Sequence, residues 1–270
     1  MVIAVNPLIS RLKNRRPLAQ GQQNEQTCFS NAGLVNWYAP VLIGPSTIGE
    51  YAGSPSCLLK VIDVLKELQP DEFINHLLAY YDAGISRFGD RWRYADITTV
   101  LTAASEIIKP QSYLEIGVRR GRSLAMVATA CPECMIVGFD LWAGDYAGMP
   151  NPGPEFVKDE LKHLGYRGDL TLIAGDSHQT VPEYLAKTPD LFFDLITVDG
   201  DHSRSGAAKD LRNVVARLKV GGVLVFDDIV HPSHPYLRRV WSKHIESDPK
   251  FACWDFDELG YGVALAIRKY

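Results

Sequence analysis

The chain has 270 residues, 46% hydrophobic and 22% charged, proportions of a folded, water-soluble protein with room for one large domain or two small ones. A formal net charge of −4 argues against a general nucleic-acid binder or a ligand of anionic membranes. The opening MVIAVNPLIS is apolar, but Arg11, Lys13, Arg15 and Arg16 follow it, the reverse of a secretory signal, and no run reaches the length of a membrane span.

Five cysteines, an odd number spread along the chain, read as reduced thiols, with a cytoplasmic location as the expectation. Cys131-Pro132-Glu133-Cys134 is a single CxxC with no second pair, and reads as two ordinary thiols rather than a zinc or redox site. Residues 1–56 mix basic, Gln/Asn-rich (20–26) and Gly/Pro-punctuated stretches (Gly44-Pro45-Ser46) with isolated aromatics Trp37 and Tyr38, and predict an irregular arm. From Leu59 the spacing becomes helical, through Ile62 and Leu65 and then, after a restart at Pro70-Asp71, through Phe73, Leu77 and Tyr81. A further helix carries Ile97, Leu101, Ala104 and Ile108 and ends at Pro110. The expected division is an arm and helical lead-in or lid over 1–95, and the main domain over 96–270.

From Gln111 the pattern alternates. Strands predicted over 113–117, 135–140, 170–174, 193–199 and 221–227 are separated by helices. The first helix carries Leu124, Val127, Ala128 and Cys131, two more cover 154–164 and 180–187, and a fourth carries Leu211, Val214, Val215 and Leu218. A last helix is predicted over 235–244. Such alternation means a parallel sheet with right-handed crossovers. Strands over 251–256 and 262–267, joined by a turn through Gly260, add an antiparallel hairpin at one edge. The expected fold is α/β, a seven-stranded, mostly parallel sheet with helices on both faces and a helical N-terminal extension.

The turn after the first strand runs from Glu115 through Gly117 and Gly121 to Ser123. Glycines at a strand-to-helix turn admit close approach of a ligand, and the helix start offers free N–H groups. The nicotinamide fingerprint GxGxxG needs a middle glycine that is missing here, which argues against a pyrophosphate. Arg119, Arg120 and Arg122 suit a ligand carboxylate, although arginines near a helix start are as often plain surface residues. Asp140 ends the second strand, where an acid commonly accepts ribose hydroxyls, and Asp176 and Ser177 follow the third, within reach of an adenine edge.

In order, LEIGVRRGRS, GFD, GDS, VDGDH and GGVLVFDD resemble the successive motifs of class I S-adenosylmethionine-dependent methyltransferases, over roughly residues 94–270. The resemblance implies a Rossmann-like fold with a terminal hairpin and S-adenosylmethionine as cofactor. It places Glu115, Gly117, Gly121 and Ser123 around the methionine part, Asp140 on the ribose, and Asp176 with Ser177 near the adenine.

The apolar run of Phe193, Leu195, Ile196 and Val198 stops abruptly at Asp199-Gly200-Asp201-His202, and Asp227 and Asp228 end the following strand. Adjacent strands lie about 4.8 Å apart, so Asp199, Asp227 and Asp228 converge and repel one another unless a cation sits among them. Helix capping is the alternative for these acids. The set is similar to the metal site of cation-dependent O-methyltransferases of the catechol and macrolide-sugar types, which implies Asp199, Asp227 and Asp228 as ligands of Mg²⁺ or another divalent cation. The macrolide-sugar type has a histidine at the offset of His202, and an imidazole pKa suits a general base; a histidine bonded to backbone at the helix start is its alternative. Asp201 reads as a cap. His231 and His234, in HPSHP, read as structural or pocket-lining, and the Gly/Pro-rich loop 143–154 as a cover, with Trp142 and Tyr146 at hand for stacking.

The function expected is Mg²⁺-dependent transfer of a methyl group to a hydroxyl of a small molecule, a sugar or secondary metabolite. Neither nucleic acid nor membrane is an expected partner, and self-association is left open. A cephalosporin-hydroxylase-like enzyme of the same fold and a non-catalytic S-adenosylmethionine-binding protein are the alternatives.

Overall fold

The structure, a computed structural model, describes residues 28–31, 35–38, 40–146 and 149–270. The basic and glutamine-rich stretches expected at 11–26 lie outside the described residues. Two places in the expected irregular arm are regular. β1 (Cys28–Asn31) pairs antiparallel with β2 (Val35–Tyr38), and α1 (Pro45–Ala52) is a helix. In α1 Pro45 occupies the first turn, where its missing N–H costs nothing, and Ile48, Gly49 and Ala52 are buried. Gly49 disguises the helix in the sequence but permits a close contact: a Cβ there would lie 2.5 Å from the Trp254 indole.

The next three helices start where side chains satisfy their free N–H groups. Ser54 caps α2 (Pro55–Glu67), accepting from Cys57 N at 3.2 Å, and Asp71 caps α3 (Glu72–Phe88), accepting from Ile74 N at 2.7 Å. Asp96 forms a capping box with Thr99 at the start of α4 (Ile97–Ile108).

The main sheet is then laid down by alternation. In chain order come β3 (Ser112–Ile116), α5 (Arg122–Ala130), β4 (Met135–Asp140), the short pair β5 (Asp145–Tyr146) and β6 (Met149–Pro150), and α6 (Pro154–His163). They are followed by β7 (Leu170–Ala174), α7 (Ser177–Lys187), β8 (Phe193–Val198), α8 (Arg204–Val214) and β9 (Leu218–Asp227). The expected helix over 235–244 is α9 (Leu237–Trp241) continued by a π turn, Ser242–Glu246. β10 (Phe251–Phe256) and β11 (Val263–Arg268) close the chain.

The strand order is β10-β11-β9-β8-β3-β4-β7, with β11 antiparallel between β9 and β10 and the other five strands parallel. This is the seven-stranded Rossmann-like sheet with a terminal hairpin. Period-two alternation gives the sheet two apolar faces. Tyr113, Leu195, Val223, Val225 and Leu265 share a core with Ile48, Leu65, Ile74 and Leu101 of the N-terminal helices. Leu114, Ile116, Ile196, Val198, Leu224 and Phe226 face α7, α8 and α9, where Trp241 stacks on Phe226 at 5.8 Å and 8°. The N-terminal helices therefore form part of one of the two layers that cover the sheet.

Between β3 and β8 the chain reverses the direction in which it adds strands, the position at which open α/β sheets bind ligands. Register sharpens this. Ile116 lies beside Val198, and Val198 beside Phe226, so the three turns beginning at Gly117, Asp199 and Asp227 leave the sheet side by side. No helix among the described residues is long and apolar enough to cross a membrane.

Candidate active site at the carboxyl ends of the strands

A cavity of about 1170 Å³ opens over these turns. Single-ligand pockets usually span roughly 300–1,000 Å³, so this one has space for a donor and an acceptor together. Of the residues expected to hold a cofactor, Gly117, Ser123, Asp140, Asp176 and Ser177 line it, whereas Glu115 and Gly121 do not.

Gly117 (φ 98°) joins the two ends of the site. A Cβ on it would lie 1.9 Å from the carbonyl oxygen of Asp199, so only glycine lets the first turn pack on the acid-bearing one. Asp140 shapes the same turn: one carboxylate oxygen accepts from Arg119 N at 2.7 Å and the other from Trp142 N at 2.5 Å. A carboxylate has about four acceptor positions, so both oxygens retain capacity toward the cavity. Trp142, expected as a stacking surface, instead donates its indole N–H to Arg119 O at 2.9 Å and is not on the cavity wall. Ser177 donates to the fully buried Asp210 at 2.8 Å, and Asp210 also accepts from Asp201 N at 3.3 Å. That carboxylate thereby ties the turn after β7 to the turn after β8.

Glu115 is fully buried between β3 and the start of α5. Its carboxyl accepts from the Tyr113 hydroxyl and, at 2.5 Å, from Ser123 Oγ. Burial dominates the two hydrogen bonds and pushes its pKa up to about 8. The arginines expected to receive a ligand carboxylate have a protein partner as well: Arg120 and Arg122 both reach Asp71 Oδ2, at 2.8 and 2.9 Å. Asp71 lies 51 positions from Arg122 in the chain, too far for any local pattern to announce the pair.

The other end of the cavity is acidic. Ligand atoms of Asp199, His202 and Asp228 all lie within 4.8 Å of one another. His202 Nε2 is 3.1 Å from Asp199 Oδ1, and Nδ1 is 3.8 Å from Asp228 Oδ2. Asp227 is outside this group, although it lines the same cavity. Burial, followed by the charges of Asp199 and Asp228, raises the Asp227 pKa well above the usual carboxylate range. Burial and the charge of Asp199 push Asp228 up to about 7, against the pull of His202. Burial alone would lower the His202 pKa, but its hydrogen bond to Asp199 and the surrounding carboxylates outweigh it and raise the value.

This cluster holds more negative charge than its one imidazole can balance. Asp199 and Asp228 offer oxygen ligands at a spacing that suits a hard divalent cation, and His202 stands beside them. Asp228 takes a left-handed φ of 61°, a conformation Asp tolerates better than most residues, as the chain leaves β9. Beyond it, Ile229 and Val230 hydrogen-bond to Gly262 and Tyr261 and anchor the turn to the terminal hairpin. Asp201 faces α8 instead: its carboxylate accepts from Ser203 N at 2.7 Å, beside the Ser203 cap.

His231 and His234 both line the cavity. The wall also contains Tyr80, Tyr94, Asp96 and Tyr261, which sequence reasoning missed. Asp96-Ile97-Thr98-Thr99 carries a capping signal that locates the start of α4, but nothing local marks its proximity to the acids. The CxxC cysteines serve the core: both thiols contact backbone carbonyls at 3.5 Å, and burial pushes Cys134 up to about 12.

No curated protein matches the chain. Residues 114–229 match a family described as a methyltransferase domain. Among solved structures, the calicheamicin methyltransferase CalS11 is 20% identical, with 79% of this chain and 91% of that chain covered at a TM-score of 0.51. The O-methyltransferase TomG of tomaymycin synthesis from Streptomyces achromogenes, solved with S-adenosylmethionine, is 18% identical, with 75% and 92% covered at 0.51. An O-methyltransferase from Bacillus cereus, solved with S-adenosylhomocysteine, is 15% identical, with 82% and 100% covered at 0.54. At these identities the likeness to the solved structures is one of fold. Together with the sheet order, the likeness is to the fold of these methyltransferases, and residues 114–229 are the segment that matches the methyltransferase-domain family.

Proposed function

We propose that the chain is a divalent-cation-dependent O-methyltransferase acting on a hydroxyl of a small molecule. The observation that carries this reading is the meeting of Asp199, His202 and Asp228 within 4.8 Å, on the wall of the cavity that the Gly117 turn also lines.

The donor half consists of the Gly117 turn, Ser123, Asp140, Asp176 and Ser177, with Asp140 toward the ribose and the turn after β7 toward the adenine. S-adenosylmethionine supplies an electrophilic methyl on a sulfonium. Asp199 and Asp228 would hold a cation such as Mg²⁺, which would acidify an acceptor hydroxyl bound there. His202 accepts the hydroxyl proton while the oxygen forms a bond to the methyl carbon. The carbon–sulfur bond breaks, its electron pair stays on sulfur, and S-adenosylhomocysteine leaves. Asp199 and Asp228, on either side of His202, stabilise the imidazolium formed. Gly117, by seating the donor turn on the acid turn, sets the approach of the two reactants, so orientation provides much of the rate.

The test is S-adenosylhomocysteine formation before and after exhaustive chelation, followed by back-titration with Mg²⁺. Turnover should disappear and return, with calorimetric affinity for S-adenosylmethionine unchanged throughout. Undiminished turnover after chelation rejects the cation.

A further inference from the structure

The acceptor half of the cavity has a wall of flat rings, several of them outside the matched methyltransferase segment. Tyr80 of α3 and Tyr94 from the connection to α4 line it, with ring centroids 5.1 Å apart at 68°. Tyr94 stacks on Trp92 at 5.4 Å and 12°, and Trp92 in turn lies against Gly84, where a Cβ would come within 2.2 Å of the indole. On its other side Tyr94 borders the β10–β11 turn, since a Cβ on Gly260 would be 3.2 Å from its hydroxyl. The next residue, Tyr261, lies 4.3 Å from His231; His231 is 4.9 Å from His234, and His234 is 5.1 Å from His202. Two groups of rings, Tyr80 with Tyr94 and Tyr261 with the histidines, thus flank the Gly260 turn, and the second leads to the acid cluster.

The lysine and arginine charge on the wall is equally one-sided. Among the described residues, the lysines and arginines lining the cavity are Arg119, Arg120 and Arg122, all at the donor turn, and Asp71 pairs with two of them. The acceptor half carries Asp96, Asp199, Asp227 and Asp228 instead. Asp96 is itself occupied, accepting from Thr98 and Thr99 on one oxygen and from Tyr81 on the other. A phosphate here would meet like charge without the guanidinium or ammonium partners that normally bind it.

Resting on the O-methyltransferase reading above, we propose that the acceptor is an uncharged, hydroxylated flat ring stacked along the Tyr80–Tyr94 and Tyr261–His231 walls, carrying no phosphate, nucleotide or coenzyme A group. Tyr80 and Tyr94 then set acceptor specificity from helices outside the methyltransferase segment. Aromatic faces receive either a phenyl ring or the C–H face of a sugar ring, and the experiment separates these sources.

The full chain, with S-adenosylmethionine and Mg²⁺, is given a neutral catechol, a methyl glycoside, a nucleoside-diphosphate sugar and a coenzyme A thioester of a hydroxycinnamate. S-adenosylhomocysteine is quantified by mass spectrometry, and acceptor binding to the S-adenosylhomocysteine complex by calorimetry. A neutral ring should bind and turn over with kcat/KM at least about tenfold above either phosphate-bearing acceptor. Tyr80 is 37% exposed, so its truncation removes a partly exposed ring rather than a fully buried one. Tyr80→Ala should raise the acceptor KM about three- to tenfold, leave the KM for S-adenosylmethionine unchanged, and be rescued by Tyr80→Phe. Preference for a phosphate-bearing acceptor, an unaltered acceptor KM in Tyr80→Ala, or donor binding with neither neutral ring bound would each overturn the inference. In the first of these cases methyl transfer itself still stands. Failure to bind S-adenosylmethionine removes both readings together.

Discussion

The two halves of the cavity are built by different rules. The donor half is local: Gly117, Ser123, Asp140, Asp176 and Ser177 each lie in or just after a strand-to-helix turn, and backbone N–H groups satisfy much of their polarity. The acceptor half is assembled from distant segments, with Tyr80 and Tyr94 from the helical layer, Asp199 and His202 after β8, Asp228 after β9, and Tyr261 from the hairpin. Each donor residue sits on a strand, a turn and a helix start of its own, whereas the acceptor half also needs the hairpin and the N-terminal layer to have closed.

Perturbing each half separately sharpens this contrast. The largest effect is expected from Asp199→Ala or Asp228→Ala, which should reduce turnover by about 10³-fold or more and leave calorimetric affinity for S-adenosylmethionine within about twofold. Equal loss of donor binding would merge the two halves into one. His202→Ala should lower kcat by about 10²–10⁴-fold, the range for a lost general base, with little change in either KM; steady-state kinetics over both substrates checks this. Gly117→Ala tests the seam between the halves. Its Cβ would sit 1.9 Å from Asp199 O at a φ of 98°, a conflict expected to cost on the order of 1–3 kcal/mol and to appear as a lower melting temperature. Gly89→Ala is the control, because at its positive φ an added Cβ meets nothing within 4 Å.

An effect on stability alone is a pH slope at Glu115. Its folded pKa, about 8, lies above the ordinary 4.5, so folding favours the protonated form. The associated stability is complete below the unfolded value and is lost as pH rises through the folded one. Denaturant midpoints should therefore decline between about pH 5 and pH 8, and Glu115→Gln should flatten that decline. An unchanged slope would mean that Glu115 is charged in the folded chain.

The same contrast explains what could be read from the sequence. The parallel strands, the terminal hairpin and the placement of Gly117, Asp140 and Asp199 at strand ends follow from short-range periodicity, because strand, turn and helix are encoded within a few residues. α1 was hidden by Gly44, Gly49 and Gly53, which resemble loop punctuation until Trp254 is seen packed on Gly49. Glu115, which the resemblance places around the methionine part, has its carboxyl turned toward Tyr113 and Ser123 by alternation along β3. The Asp71 pairing of Arg120 and Arg122, and the Tyr80–Tyr94 wall, rest on contacts between segments that carry no shared local pattern. His202 lies beside Asp199 because the two are three residues apart at one helix start, but its approach to Asp228 depends on the β8–β9 register.

The central claim is that a cation held by the acids lies beside the methyl donor in one cavity. It can be tested with S-adenosylmethionine labelled with ¹³C at the methyl, observed by NMR on the full chain while Mn²⁺ replaces Mg²⁺ at substoichiometric levels. The account predicts strong paramagnetic broadening of the bound methyl resonance, abolished in an Asp199→Ala, Asp228→Ala double variant that still binds the donor. A bound methyl resonance that stays sharp in the presence of Mn²⁺ would contradict it.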